Sequence, residues 1–193
     1  MRIGIDLDNT LADYRRPLEA LCVKHGVPGP HSDPKLALRD YLRSTGREKE
    51  WTRLQGELYG PLMNDALLFE GVSEFFGRCH LQGVSCHIVS HRTRKPISGG
   101  YHDLHEGARL WLGRQGLSEV TAYFEETKTE KIKRISALEL DVFIDDLPEI
   151  LLDPHFPSGT RGILFDPGNR HADRVGYSRV QNWAAVRSAI LCE

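Results

Sequence analysis

"RIGIDLDNTLAD", residues 2–13, decides how this chain is read. Ile3 and Ile5 mark a buried strand, and the strand runs straight into Asp6-Leu7-Asp8-Asn9-Thr10. Acids at such a point either cap the next helix or hold a cation and do chemistry. One Asp suffices for a cap, whereas two leave an unpaired charge that is costly near a strand end. A calcium loop of the EF-hand type also fails: Leu11 stands where that loop needs Gly, and Pro17 where it ends in Glu.

Outward from this stretch, three more segments have the Ile/Val/Phe content of buried parallel strands: "VSCHIVS" (84–90), "DVFID" (141–145) and "RGILFD" (161–166). "VTAYF" (120–124) is a weaker fifth, and "SRVQ" (178–181) adds an edge. Helical patterns fill the gaps: 70–83, 102–116 (ending at Gly116) and 127–140. The last opens with Thr127 and Glu130 in capping-box spacing. Strands alternating with helices predict an α/β fold, a Rossmann-like parallel sheet flanked by helices. Residues 13–70 break the rhythm. "DYRRPLEALCVKHG", "DPKLALRDYLRSTG" and "REKEWTRLQGELYG" are helical and charged, with Gly/Pro punctuation and no convincing strand. The expected organisation is a core of 1–12 and 71–193 with an all-helical insertion at 13–70, above the carboxyl ends of the strands where open α/β sheets bind ligands.

Those carboxyl ends carry the chemistry. Asp6 and Asp8 follow the first strand, Ser90 ends the second, Lys128 opens a helix and Asp145-Asp146 ends another strand. Acid, hydroxyl, amine and acid pair together suit a phosphoryl group and a divalent cation. Carboxylate oxygens fit the hard cation Mg²⁺, and a carboxylate can attack phosphorus to form an aspartyl-phosphate. A second acid can protonate the leaving oxygen and then activate water.

In this order and spacing the chain resembles the haloacid dehalogenase superfamily, in its phosphatase branch. The family's motif hhhDxDxT reads as Ile3-Gly4-Ile5-Asp6-Leu7-Asp8-Asn9-Thr10; its strand-ending Ser or Thr matches Ser90, its helix-start Lys matches Lys128, and its acidic pair matches Asp145-Asp146 in "VFIDDLPE". The resemblance implies Asp6 as nucleophile and Mg²⁺ ligand, and Asp8 as general acid/base that ligates the metal through its backbone carbonyl. Ser90 would bind a phosphoryl oxygen, and Thr10 would support the loop or orient Asp8. Asp146 aligns best with the family's metal ligand, leaving Asp145 to brace the Lys or hold a metal-bound water. Lys131 competes with Lys128 on the same helix; Lys128, at the first helical position, is favoured and Lys131 read as a solvated face residue. Asp8 separates the chain from the dehalogenase members, which lack this second acid, and Leu7 separates it from the transport ATPases, which carry Lys there. The insertion resembles the family's small helical cap, and "DLDNTLAD" with "IDDLPE" is similar to the deoxyribonucleotidase-like branch.

Around Ser90, "SHRTRKPISGGYHD" (90–103) places His91, Arg92 and Lys95 where Arg92 or Lys95 could grip a second anionic group on a substrate, a solvated basic loop being the plain alternative. "FDPGNRHADR" (165–174) borders the same rim without a clear role, and the aromatics Tyr14, Tyr41, Trp51 and Tyr59 read mainly as packing.

Composition sets outer limits. The chain has 193 residues, 40% hydrophobic and 27% charged, enough apolar material for a real core. A formal charge of −2 gives no global pull toward nucleic acid or an anionic membrane. No apolar run approaches the ~18 residues of a membrane span, and no signal-peptide pattern opens the chain. Cys22, Cys79, Cys86 and Cys192 form no CxxC pair and read as reduced thiols, so a cytoplasmic location is expected. Zinc at Cys79-His80 and Cys86-His87 is disfavoured because strand neighbours point to opposite faces. Nothing in the sequence specifies an oligomeric state.

The expected function is Mg²⁺-dependent hydrolysis of a small-molecule phosphate ester, such as a nucleoside monophosphate or sugar phosphate. The alternatives are a phosphatase on nucleic-acid ends, a phosphotransferase on the same fold, and a phosphate-binding module without turnover.

Overall fold

The opening stretch forms a central strand, β1 (Arg2–Ile5), with Ile3 and Ile5 fully buried on one face and Gly4 on the other. Between them Gly4 faces a tight contact: a Cβ there would lie 2.3 Å from Leu140 Cδ1 and 2.6 Å from Phe143 Cδ2. The side chains of the neighbouring elements thus close over the strand backbone itself. This is a computed structural model, and it describes residues 1–191; Cys192 lies outside them.

Six strands make one sheet. After β1 come β2 (Ala12–Asp13) and β3 (Leu67–Leu68), which pair with each other in a small sheet of their own, and then β4 (Ser85–His91), β5 (Thr121–Glu125), β6 (Val142–Asp145), β7 (Arg161–Phe165) and β8 (Tyr177–Val180). The large sheet has the order β5-β4-β1-β6-β7-β8, parallel throughout. Ile5 is aligned with Ile88 on one side and Ile144 on the other; past that level β6 runs on to Asp145 and β4 to His91. Successive strands first step outward from β1 to β4 and β5; the chain then returns to the other side of β1 for β6, β7 and β8. This is the doubly wound arrangement, in which the crevice beside β1 at the carboxyl ends is the ligand position.

The residues group into two compact units. The first comprises 1–12, 68–92 and 119–191; it holds the large sheet. Its helices are α4 (Val72–Leu81), α6 (Lys128–Ala137), α7 (Pro148–Leu151) and α8 (Trp183–Ile190). Against one part of the sheet Val89, Ile135, Leu140, Phe143, Ile150, Leu151 and Leu164 form an apolar cluster. Another part is aromatic: Trp183 lies 5.0 Å from Phe75 and 5.8 Å from Phe165, centroid to centroid. Its buried indole N–H donates to the Thr10 carbonyl at 3.1 Å and so ties α8 to the loop after β1.

The second unit comprises 13–67 and 93–118. It is helical: α1 (Arg15–His25), α2 (Pro34–Ser44), α3 (Glu48–Leu58), a 3₁₀ turn at Pro61–Asp65 and α5 (Leu104–Arg114). Asp33 and Asp103 cap α2 and α5 through their side chains. The 93–103 loop belongs here and packs against α3, where a Cβ on Gly56 would meet the Ser98 carbonyl at 2.6 Å. Among the described residues no helix is long and apolar enough to cross a membrane.

Candidate active site

The first unit brings Asp6, Lys131, Asp145 and Asp146 to the crevice at the end of β1. Asp6 continues the β-ladder, its N–H donating to the Ile144 carbonyl at 2.8 Å, which sets it beside Asp145. After it the chain turns tightly. Asn9 takes a left-handed conformation (φ 63°), its N–H donates to the Ala12 carbonyl, and the amides of Leu11 and Ala12 both reach back to the Leu7 carbonyl. Leu7 and Leu11 anchor the turn in the core.

Lys131 is the centre of the charge arrangement. Its side chain is 1% exposed, and its ammonium donates to Asp6 Oδ1 and to Asp145 Oδ2, both at 2.6 Å. Asp145 Oδ1 also accepts the Leu147 N–H at 2.9 Å. Burial opposes charge on Lys131, but Asp145 and Asp6 outweigh it and hold its pKa above the ordinary range. Burial acts on Asp6 in the opposite sense: desolvation raises it, Lys131 lowers it, and Asp145 and Asp8 raise it again, so that it stands at about 7. One ammonium therefore does not offset these carboxylates.

That deficit fits a cation. Carboxylate oxygens of Asp6, Asp145 and Asp146 lie within 4.8 Å of one another, all three residues buried, and this is the one such group of His, Cys, Asp or Glu among the described residues. An all-oxygen donor set of this kind suits Mg²⁺. Two hydroxyls of the same region, Ser90 Oγ and Thr10 Oγ1, are buried without a hydrogen-bond partner among the described residues. A buried unsatisfied hydroxyl costs roughly 1–3 kcal/mol, a cost that a bound oxyanion at Ser90 would relieve.

Lys128 requires a correction. It is not in this group: its side chain is 47% exposed and its ammonium pairs with Glu149 Oε1 at 2.7 Å. The capping box of Thr127 and Glu130 starts α6 at Lys128, as the spacing indicates. Side chains on a helix lean toward its N-terminus, so a lysine at the first position projects past the helix, while one a turn later reaches back to the strand ends. The signal in the sequence was the stripe itself: Lys131 shares the buried face of Ile132 and Ile135.

The basic residues after Ser90 also separate. His91 ends β4 half-buried, and burial with the nearby Lys131 charge pushes its pKa below the usual imidazole value, against a hydrogen bond to the Glu126 backbone. Arg92 is buried and turned toward Asp8: Nε donates to Oδ2 at 3.2 Å and Nη2 to Oδ1. Lys95 is exposed in the 93–103 loop of the second unit. In the "FDPGNRHADR" loop, Asp166 accepts the amides of Arg170 and His171, an internal loop closure. Cys79 is buried and hydrogen-bonded to Cys86.

The fold is similar to that of solved haloacid dehalogenase superfamily hydrolases, over essentially the whole chain. Among solved structures a HAD phosphatase from Thermococcus onnurineus superposes with a TM-score of 0.60 at 15% identity, covering 100% of this chain and 98% of that one. The HAD-hydrolase YfnB from Bacillus subtilis, bound to magnesium, gives 0.60 at 12% identity, covering 99% and 98%. CbbY from Rhodobacter sphaeroides, as a mutant in complex with xylulose 1,5-bisphosphate, gives 0.55 at 15% identity, covering 95% and 94%. No protein-family model and no curated protein matches the chain. At these identities the likeness is one of fold.

Proposed function

We propose that this protein is a Mg²⁺-dependent phosphatase that hydrolyses a small phosphorylated metabolite through an aspartyl-phosphate on Asp6. The observation that carries the reading is the buried ammonium of Lys131 spanning Asp6 and Asp145 beside Asp146, at the crevice of a doubly wound sheet. Such a cluster is expensive to bury, and perturbed carboxylates in a crevice are typical of functional sites. Similarity of fold to a magnesium-bound hydrolase and to a sugar-bisphosphate complex supports the metal and the substrate class.

The steps follow from the side chains. An oxygen of Asp6 attacks phosphorus in line, and the bond to the ester oxygen breaks. Asp8 protonates that oxygen as it leaves. Water then attacks the phosphorus of phospho-Asp6 with Asp8 taking its proton, which releases phosphate and restores Asp6. Throughout, Lys131 keeps an ammonium beside the nucleophile, and the Ser90 hydroxyl is available to donate to a phosphoryl oxygen. Asp6, the Asp8 carbonyl and Asp146 would hold Mg²⁺, with Asp145 bracing Lys131; when bound, the ion supplies positive charge for the phosphoryl oxygens.

Asp6→Asn removes the nucleophile, and the expected outcome is loss of p-nitrophenyl phosphate hydrolysis by a variant whose circular dichroism is unchanged. Unaltered turnover by well-purified Asp6→Asn protein would overturn the mechanism. The substrate class is read from a panel of nucleoside monophosphates, sugar phosphates and phospho-acids with and without Mg²⁺, with a single-stranded 3′-phosphate oligonucleotide included. Preference for the oligonucleotide would replace the metabolite reading; a net charge of −2 argues against it.

A further inference from the structure

Asp8 is gripped at both ends. Its backbone lies in the tight turn after β1, where it bridges to Ala12 and the left-handed Asn9 donates its amide to Ala12. Its carboxylate is met side-on by Arg92, which donates from Nε to one oxygen and from Nη2 to the other. The root of Arg92 is fixed as well: its N–H donates to the Glu125 carbonyl at 2.9 Å, extending the β4–β5 ladder one residue past His91. The guanidinium side chain is 2% exposed and the Asp8 side chain 16%.

Stability alone does not account for this pair. Replacing a buried ion pair with apolar side chains of similar volume is commonly neutral or stabilising. What a guanidinium fork adds is direction, because it engages both carboxylate oxygens in one plane. Asp8, unlike Asp6, is not one of the three clustered carboxylates, so its orientation is not set by that group.

We propose that Arg92 is the positioning residue of Asp8, holding its carboxylate where it meets the leaving oxygen, rather than a side chain that grips a second anion on the substrate. The proposal rests on the phosphatase reading above. In the step concerned the Asp6–phosphorus bond forms, the phosphorus–ester oxygen bond breaks, and the proton passes from Asp8 to that oxygen.

The test is a series of aryl phosphates of rising leaving-group basicity, from 4-nitrophenyl through phenyl to 4-methoxyphenyl, read as kcat/KM so that only steps through phosphoryl transfer to Asp6 count. A weakly basic leaving group needs no proton, so 4-nitrophenyl phosphate should lose less than about tenfold in Arg92→Met, while phenyl and 4-methoxyphenyl phosphate lose about 100-fold or more, the usual scale of general acid catalysis. Asp8→Asn should show the same steep dependence, and adding Arg92→Met to it should steepen it no further. Parallel losses across the series, whether from KM or kcat, would overturn the proposal, since a structural or substrate-gripping Arg92 affects every ester alike. If Arg92→Met does not fold, as judged by its melting curve, Arg92→Lys carries the same comparison: it keeps the charge without the fork, a steeper series supports positioning and a parallel one overturns it. A native protein inert toward all aryl phosphates would overturn the phosphatase reading with it, whereas an active native protein with a parallel Arg92→Met series would overturn only the role of Arg92.

Discussion

At the scale of the residue, the two lysines of α6 separate burial from exposure. Lys131→Met leaves Asp6 and Asp145 facing each other in the core without their ammonium. Breaking a buried pair from one side costs roughly 3–5 kcal/mol, so the expected outcome is a clearly lower urea midpoint together with loss of turnover. Lys128→Met removes only an exposed pair with Glu149. Such pairs contribute about 0–1 kcal/mol, so both midpoint and turnover should stay near native. If Lys128→Met were the inactive variant, the arrangement around Lys131 would not be the working one. Both lysines were visible in the sequence, and both lie within a helical turn of Thr127. The choice between them depended on which way a side chain leans from its helix, and the pattern of apolar neighbours carried that information only indirectly.

At the scale of the element, β1 is the clearest case of sequence dictating structure. Ile3 and Ile5 bury one face, and Gly4 between them leaves room on the other for Leu140 and Phe143. Gly4→Ala should therefore destabilise the protein by about 1–3 kcal/mol, the cost of overpacking a filled core, measurable as a lower midpoint in urea. Activity should fall as well, since Phe143 lies 5.4 Å below the Lys131 ammonium. For α6 the capping box was legible as Thr127 and Glu130, and both of its reciprocal hydrogen bonds form. Thr127→Ala should cost about 1 kcal/mol, read in the same way. The short β2 and β3 pairing, by contrast, has no sequence signature, because two-residue strands are too brief to show a period.

At the scale of the whole molecule, the buried charge of the site couples folding to pH and, on the function proposed above, to metal. Asp6 stands at about 7 in the folded protein against 3.8 ordinarily. Between those values the folded chain keeps a proton that the unfolded chain has released, so stability falls as pH rises through that window. A divalent cation held by the same carboxylates takes the proton's place. Mg²⁺ should therefore raise the melting temperature, and by more at pH 8 than at pH 5, with the difference removed by chelation. Asp6→Asn should flatten both the pH dependence and the Mg²⁺ response. An equal Mg²⁺ shift at both pH values would mean that the ion does not engage Asp6.

Period and punctuation in the sequence were enough to determine the parallel sheet, the positions of its six strands and the placing of Asp6 and Asp145-Asp146 at strand ends, because strands buried on both faces announce themselves as apolar runs with acids at their ends. Local spacing also determined where α6 begins. Only the tertiary structure decided which lysine bridges the carboxylates, that Arg92 turns to Asp8, and that residues 93–118 group with 13–67. Those outcomes depend on side-chain direction and on contacts between residues far apart in the chain, for which one-dimensional spacing holds no record.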